Sequence, residues 1–436
     1  MMVWAPLLAA AAAAFPPAPS ANESRGMALF DLSAEDPQAV CNDGSAAKFY
    51  WRNCTANSDR AAGDKQDYCE KGGRQGVDQI VYFIVFEAAG FCYDEASCAA
   101  RRSAQPRRMS SASLPPSIFP SGALSCYPEE NPNFYKANTV FVPSCSSDEW
   151  VGDSASHGSG KLLFRGRRIL TAVLKRLAAV LASADVIYIA GGAGVMQALG
   201  TPQMLQLLPH GALRMVCDGC LLSAAKPLLS VQKQPCSTDW DCPAPTSLAR
   251  AVPAWGGERV IKHLGNGCGD GSCLLAEPTL ARLRSTGAPP SLIFHNQFDR
   301  PTLLALRAWP APAGSAARHY ARALAEVSRL MLRGFAASGN ESSGRLVFSP
   351  SCVGPTATNE SDSTFVEQLQ FYLTVIGVKN QFNVTTGATY SDLTDTLLGG
   401  GSSSTGSTYV AIDECSEWAC NKGCDFFGQC SHCGAS

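Results

Sequence analysis

The stretch "DVIYIAGGAGVMQAL" (Asp185–Leu199) has the layout of a nucleophile site. Five apolar residues, Val186–Ala190, run into a glycine-rich turn, and a helical pattern follows. A strand, a sharp turn and a helix together hold a hydroxyl exposed at the edge of a sheet, where it can attack an acyl group. Here the turn reads Ala-Gly-Gly-Ala-Gly, and Ala184–Val216 contains neither Ser nor Cys. Thr201 stands too far beyond the strand end. Acyl transfer also needs a His to take the proton, an Asp to orient it and backbone N–H donors for the oxyanion. The histidines are His157, His210, His263, His295, His319 and His432. His295, inside a strand four residues before Asp299, reads as a core or wall residue. Ser146 and Ser147, after another strand, are the substitute nucleophiles nearest an expected mouth.

The elements that must position these groups follow from apolar patterning. Gln79–Phe86, Thr139–Pro143, Val186–Ala190, Ser291–His295 and Arg345–Phe348 are short, continuously apolar runs. Such runs suit a parallel sheet covered on both faces. Leu162–Ala182 and Ala316–Phe335 alternate with them as amphipathic helices, the first with a charged, solvated face (Arg167, Arg168, Lys175, Arg176). The fold class is therefore α/β, with a mostly parallel sheet and helices on both faces. Arg101–Gly122, rich in Ser, Pro and Arg, and Gly399–Ser407 read as surface loops or linkers.

Composition bounds the setting. The 436 residues are 46% hydrophobic and 17% charged, which predicts a large buried core. A formal net charge of −2 gives no reason to expect nucleic acid or an acidic membrane as partner. Val3–Phe15 is apolar but too short for a membrane span, and Ala18-Pro19-Ser20 follows as at a signal-peptidase site, so residues 1–20 read as a signal peptide. The 19 cysteines then predict disulfides and secretion, and their odd number leaves at least one thiol unpaired or paired outside the chain. Sequons at Asn22, Asn53, Asn340, Asn359 and Asn383 are compatible with a glycosylated exterior. The tail, residues 415–433, holds five cysteines and one histidine and reads as a disulfide knot rather than a zinc knuckle. No metal and no cofactor is expected.

Several segments in order resemble the Notum and pectin acetylesterase family of secreted carboxylesterases, with Notum the nearer branch. They are "CNDGSAAKFY" from Cys41, "FEAAGFCYDEASC" from Phe86, "PEENPNFYKANTVFVPSCSSDEWVGDS" from Pro128, "PCSTDWDC" from Pro235, "FHNQFDRPTL" from Phe294, "FSPSC" from Phe348 and "CSEWACNKGC" from Cys415. The resemblance runs from Cys41 to Cys424 and implies a single α/β-hydrolase-like, disulfide-stapled domain over residues 41–424. It implies a Ser-Asp-His triad that removes an acyl ester from a secreted protein or a polysaccharide.

Carried residue by residue, the resemblance makes Asp299 the retained triad acid. The nucleophile's place falls on Ala193 without gaps, or on Gly192 with a one-residue shift. The base's place falls on Pro355, and the oxyanion loop on Ala88, Ala89 and Gly90. The expectation is a secreted, catalytically impaired hydrolase-fold protein that binds an acylated protein, a lipid or an acetylated glycan. The alternatives are an active carboxylesterase with a non-family nucleophile and a structural extracellular glycoprotein.

Overall fold

The computed structural model describes residues 26–54, 74–75, 79–88, 90–120, 124–127, 135–157, 162–209, 211–228, 242–257, 264, 268–285, 288–309, 314–338, 345–349 and 409–412. The leader, residues 399–407, the tail and every sequon except that of Asn53 lie outside them. The strands are β1 (Met27–Asp31), β2 (Lys48–Arg52), β3 (Arg74–Gln75), β4 (Gln79–Phe86), β5 (Ser117–Ile118), β6 (Asn138–Val142), β7 (Ser154–His157), β8 (Leu162–Phe164), β9 (Val186–Gly191), β10 (Leu213–Asp218), β11 (Ser291–Phe294), β12 (Arg345–Ser349) and β13 (Tyr409–Ile412). The helices that matter below are α1 (Glu95–Ala104), α2 (Gly166–Leu181), α3 (Ala193–Leu199), α4 (Arg300–Ala305) and α5 (Ala316–Ala337).

One sheet runs β13-β12-β11-β10-β9-β4-β6-β2-β1-β5, with β3 paired to β4 off this path. All pairings from β13 to β6 are parallel. The edge formed by β2, β1 and β5 is antiparallel. The five apolar runs are strands of the parallel part, with β10, which was not among them, inserted between β9 and β11, and β6 and β9 are buried at every position. Successive residues of β9, such as Ile187 and Tyr188, point to opposite faces and are both buried, so the sheet is covered on both faces. Among the described residues, disulfides join Cys41 to Cys145, Cys92 to Cys98, Cys217 to Cys220 and Cys268 to Cys273. Among the described residues no helix is long and apolar enough to cross a membrane.

Three elements depart from the sequence reading. The helix expected from Leu162 begins at Gly166, because Leu162 and Phe164 pair with β7 as an antiparallel ladder. Part of the charged face of α2 is docked, while Lys175 stays exposed as expected. Arg168 pairs with Asp153 at 2.6 Å and Asp36 at 3.3 Å, and Arg176 with Glu35 at 2.9 Å, so the helix straps the N-terminal segment to the domain. Residues from Arg101 are not all loop: α1 continues to Ala104, started by a capping box between Asp94 and Ser97. Arg101 is buried and donates to Ser147 Oγ at 3.0 Å.

Chain passes from β9 into α3 directly beneath the segment after β6. A Cβ on Gly191 would stand 2.8 Å from that of Val195, so the absence of a side chain at Gly191 is what admits valine one turn on. A Cβ on Gly194 would fall far inside contact with the backbone carbonyl oxygen of Glu149. Backbone cannot swing aside as a side-chain tip can. Gly194→Ala should therefore cost more than about 2 kcal/mol in chemical denaturation, while Gly211→Ala, with open space around its Cβ, should cost under about 0.5 kcal/mol.

Candidate active site

The strand–turn–helix sits at the carboxyl edge of the parallel strands, where α/β sheets place their sites. Gly192 is the hinge residue, with φ −75° and ψ −171°, and serves as N-cap of α3. Ala193 is the first helical residue and 1% exposed. No positive φ occurs at Gly191, Gly192 or Ala193, so this turn lacks the strain of a turn that thrusts a side chain outward. Nothing in it carries a hydroxyl or a thiol.

Beside it runs the loop after β4. Ala88 keeps a negative φ and Gly90 takes +71°, so the alanine is unstrained and the glycine sits where a glycine is needed. Ala89 lies outside the described residues. Aromatic groups hold this loop. Trp150 packs edge-on against Phe86 at 5.2 Å and its indole N–H donates to the Glu87 carbonyl at 3.0 Å. Phe91 packs edge-on against Trp255, whose indole N–H donates to the Cys92 carbonyl at 3.1 Å.

Asp299 follows β11, and its carboxylate accepts from the Thr302 backbone N–H at 3.0 Å as N-cap of α4. His295 lies just past the end of β11 rather than inside the strand, and is buried beside Asp299. Burial holds its imidazole below the ordinary histidine value, against the attraction of the Asp299 carboxylate. Both residues follow β11, the strand two removed from β9. Pro355 lies outside the described residues.

Ser146 and Ser147 are not at a mouth. Both are buried, because their hydroxyls are committed to folding the segment after β6. Ser146 Oγ donates to Asp148 at 2.9 Å and accepts from the Arg165 backbone N–H at 2.6 Å. Ser147 Oγ donates to the Arg108 carbonyl at 3.1 Å and accepts from Arg101.

Three carboxylates near the turn escaped the sequence reading. Asp148 Oδ2 accepts from the Gly166 backbone N–H at 2.8 Å, and Oδ1 accepts from that of Trp150 at 3.2 Å. Burial nevertheless pushes its carboxyl up to about 7, against those hydrogen bonds. Glu149 is buried at a φ of +51°, with Oε2 facing Gly192. Asp218 follows Cys217, which pairs in register with Gly191. Burial pushes its carboxyl up to about 7 as well, and its Oδ2 has no hydrogen-bond partner. The signal available in sequence was the acidic pair of "SSDEW" and the lone acid of "CDGC", each in otherwise small or apolar surroundings. Among the described residues no cluster of three His, Cys, Asp or Glu could hold a metal ion.

Comparison with known proteins places this geometry. A family model described as Pectinacetylesterase matches residues 67–224. The palmitoleoyl-protein carboxylesterase NOTUM of Mus musculus is 29% identical over 228 residues, 50% of this chain and 40% of that protein. The inactive palmitoleoyl-protein carboxylesterase notum1b of Danio rerio is 32% identical over 120 residues, 28% of this chain and 70% of that protein. The match thus spans less than half the length of the mouse relative. A crystal structure of the Wnt deacylase Notum from Drosophila has a TM-score of 0.64 at 19% identity, covering 92% of this chain and 100% of that one, which establishes the fold.

The unpartnered Asp218 makes a pH test. Its folded value lies above the unfolded one, so its contribution to stability is present below about pH 4 and is lost as pH rises through about 7. Asp218→Asn keeps the shape and removes the titration. Its stability advantage over the wild type should grow from pH 4 to 7 and level off above, at no more than about 4 kcal/mol. Thermal unfolding of both proteins across pH 4–8 checks this; a difference independent of pH would refute it.

Proposed function

This chain belongs to the Notum and pectin acetylesterase family, and from that premise we propose that it binds acyl esters without cleaving them. The observation that carries the reading is the β9–α3 turn, whose residues offer no nucleophile at either Gly192 or Ala193. On this reading Gly192, between strand and helix, occupies the nucleophile's place, and Pro355 that of the base. Asp299 remains as the triad acid, with a second role as a helix cap. Ala88, Ala89 and Gly90 keep a loop of backbone donors. The protein acts outside the cell, and its ligand is an acylated protein, a lipid or an acetylated glycan.

Magnitude supports inactivity over slow turnover. Loss of a triad serine or histidine costs on the order of 10⁶ in rate, and a second loss adds little because the triad acts as a unit. Removing one group would already reduce the chemistry to the residual effect of binding and oxyanion stabilisation. The relative named as inactive supports the same reading, since the family holds at least one member so described. The other relatives are palmitoleoyl-protein carboxylesterases, which favours a lipid acyl group over acetyl.

The purified protein should hydrolyse p-nitrophenyl octanoate and p-nitrophenyl acetate no faster than a non-enzymic protein at equal concentration. A fluorophosphonate should leave its mass unchanged. Turnover abolished by that reagent would disprove the proposal and restore the search for a hydroxyl nucleophile.

A further inference from the structure

The side chain of Glu149 has no part in the function proposed above, yet the fold goes to unusual lengths to place it. Ser147, Glu149 and Trp150 all hold a positive φ, of 49°, 51° and 64°, a region unfavourable to residues that carry a Cβ. The segment is tied down on every side. The Cys41–Cys145 disulfide anchors its start, and Asn42 Nδ2 donates to the Ser146 carbonyl at 2.8 Å. Asp148 fastens its middle to α2, and Trp150 fastens its end to the loop after β4.

What this constrained path achieves is local. Oε2 of Glu149 stands 2.9 Å from where a Cβ of Gly192 would be, with the Ala88 methyl 3.5 Å from the same point. The space a nucleophile's side chain would fill is therefore already lined by a carboxylate on one side and a methyl group on the other.

We infer that Glu149 is a stopper, a residue that occupies the space above Gly192, so that an acyl ester held by this protein lies clear of the strand–helix turn. Its significance rests on reading Gly192 as the nucleophile's place. Occupancy of the niche is independent of turnover, so a test that reads the niche can fail while the functional proposal stands, and the reverse.

The test places a thiol in the niche with Gly192→Cys in the full chain. Native-state alkylation of position 192 by iodoacetamide is followed by mass spectrometry, with Glu149 intact, Glu149→Gln and Glu149→Ala. Glu149→Gln keeps the bulk of the side chain and should react at about the parent rate. Glu149→Ala, which removes the obstruction, should react at least about tenfold faster than the parent. Equal rates with Glu149 intact and with Glu149→Ala would overturn the inference. Where Gly192→Cys fails to fold, Gly192→Ala replaces it. The fall in melting temperature it causes should shrink in the Glu149→Ala background, and an equal fall in both backgrounds would overturn the inference.

Discussion

Asp148 is the contact on which the region above the sheet depends. Its carboxylate lies against Gly152 and Gly166, where a Cβ on either glycine would collide with it. It accepts the backbone N–H that opens α2, which a nearby Ser, Thr or Asn would ordinarily satisfy, and that of Trp150 two residues on. One side chain therefore sets the start of a long core helix and the path of the loop that covers the strand–helix turn. Its burial is unfavourable to the ionised form, which explains why the carboxyl is pushed up to about 7 despite its hydrogen bonds. The disulfide to Cys145 and the Trp150 indole extend the same fixture to the N-terminal segment and to the loop after β4.

A scaffold built this way can outlast its chemistry. Packing of β4, β9, β10 and β11 does not involve a serine at the turn, and the loop after β4 is held by aromatic groups rather than by a substrate. Once a hydroxyl is gone, the strain that would have presented it has no function, and the turn at Gly192 is relaxed. The strain in this region lies instead in the segment above, at Ser147, Glu149 and Trp150. The close approach of its backbone to Gly194 shows how tightly that segment is pressed onto the turn.

Five of the parallel strands were legible in the sequence because burial on both faces leaves an uninterrupted apolar run, as in "VIYIA" and "TVFV", whereas β10 and β13 were not. Shorter strands such as β5 and β8 were not, because pairing with a partner rather than local pattern makes them strands. Leu162 and Phe164 fit a helical period as well as an alternating one, and only the ladder with β7 decides between them. At the candidate site the absence of a hydroxyl or thiol from the turn could be read directly, and the resemblance left the nucleophile's place between Ala193 and Gly192. The burial of Ser146 and Ser147 could not be read, since their partners, Arg101, Arg108 and Arg165, come from three distant stretches. Nor could the roles of Asp148 and Glu149, which depend on glycines that approach them only in the folded chain.

On the proposed function, the retained fold holds an acyl ester without breaking it. Incubating the protein with a peptide that carries a palmitoleoyl ester, then recovering both and weighing the peptide by mass spectrometry, measures that directly. The account predicts a peptide that co-purifies with the protein and keeps its acyl group. A peptide returned lighter by the palmitoleoyl group, with free fatty acid in solution, would contradict it.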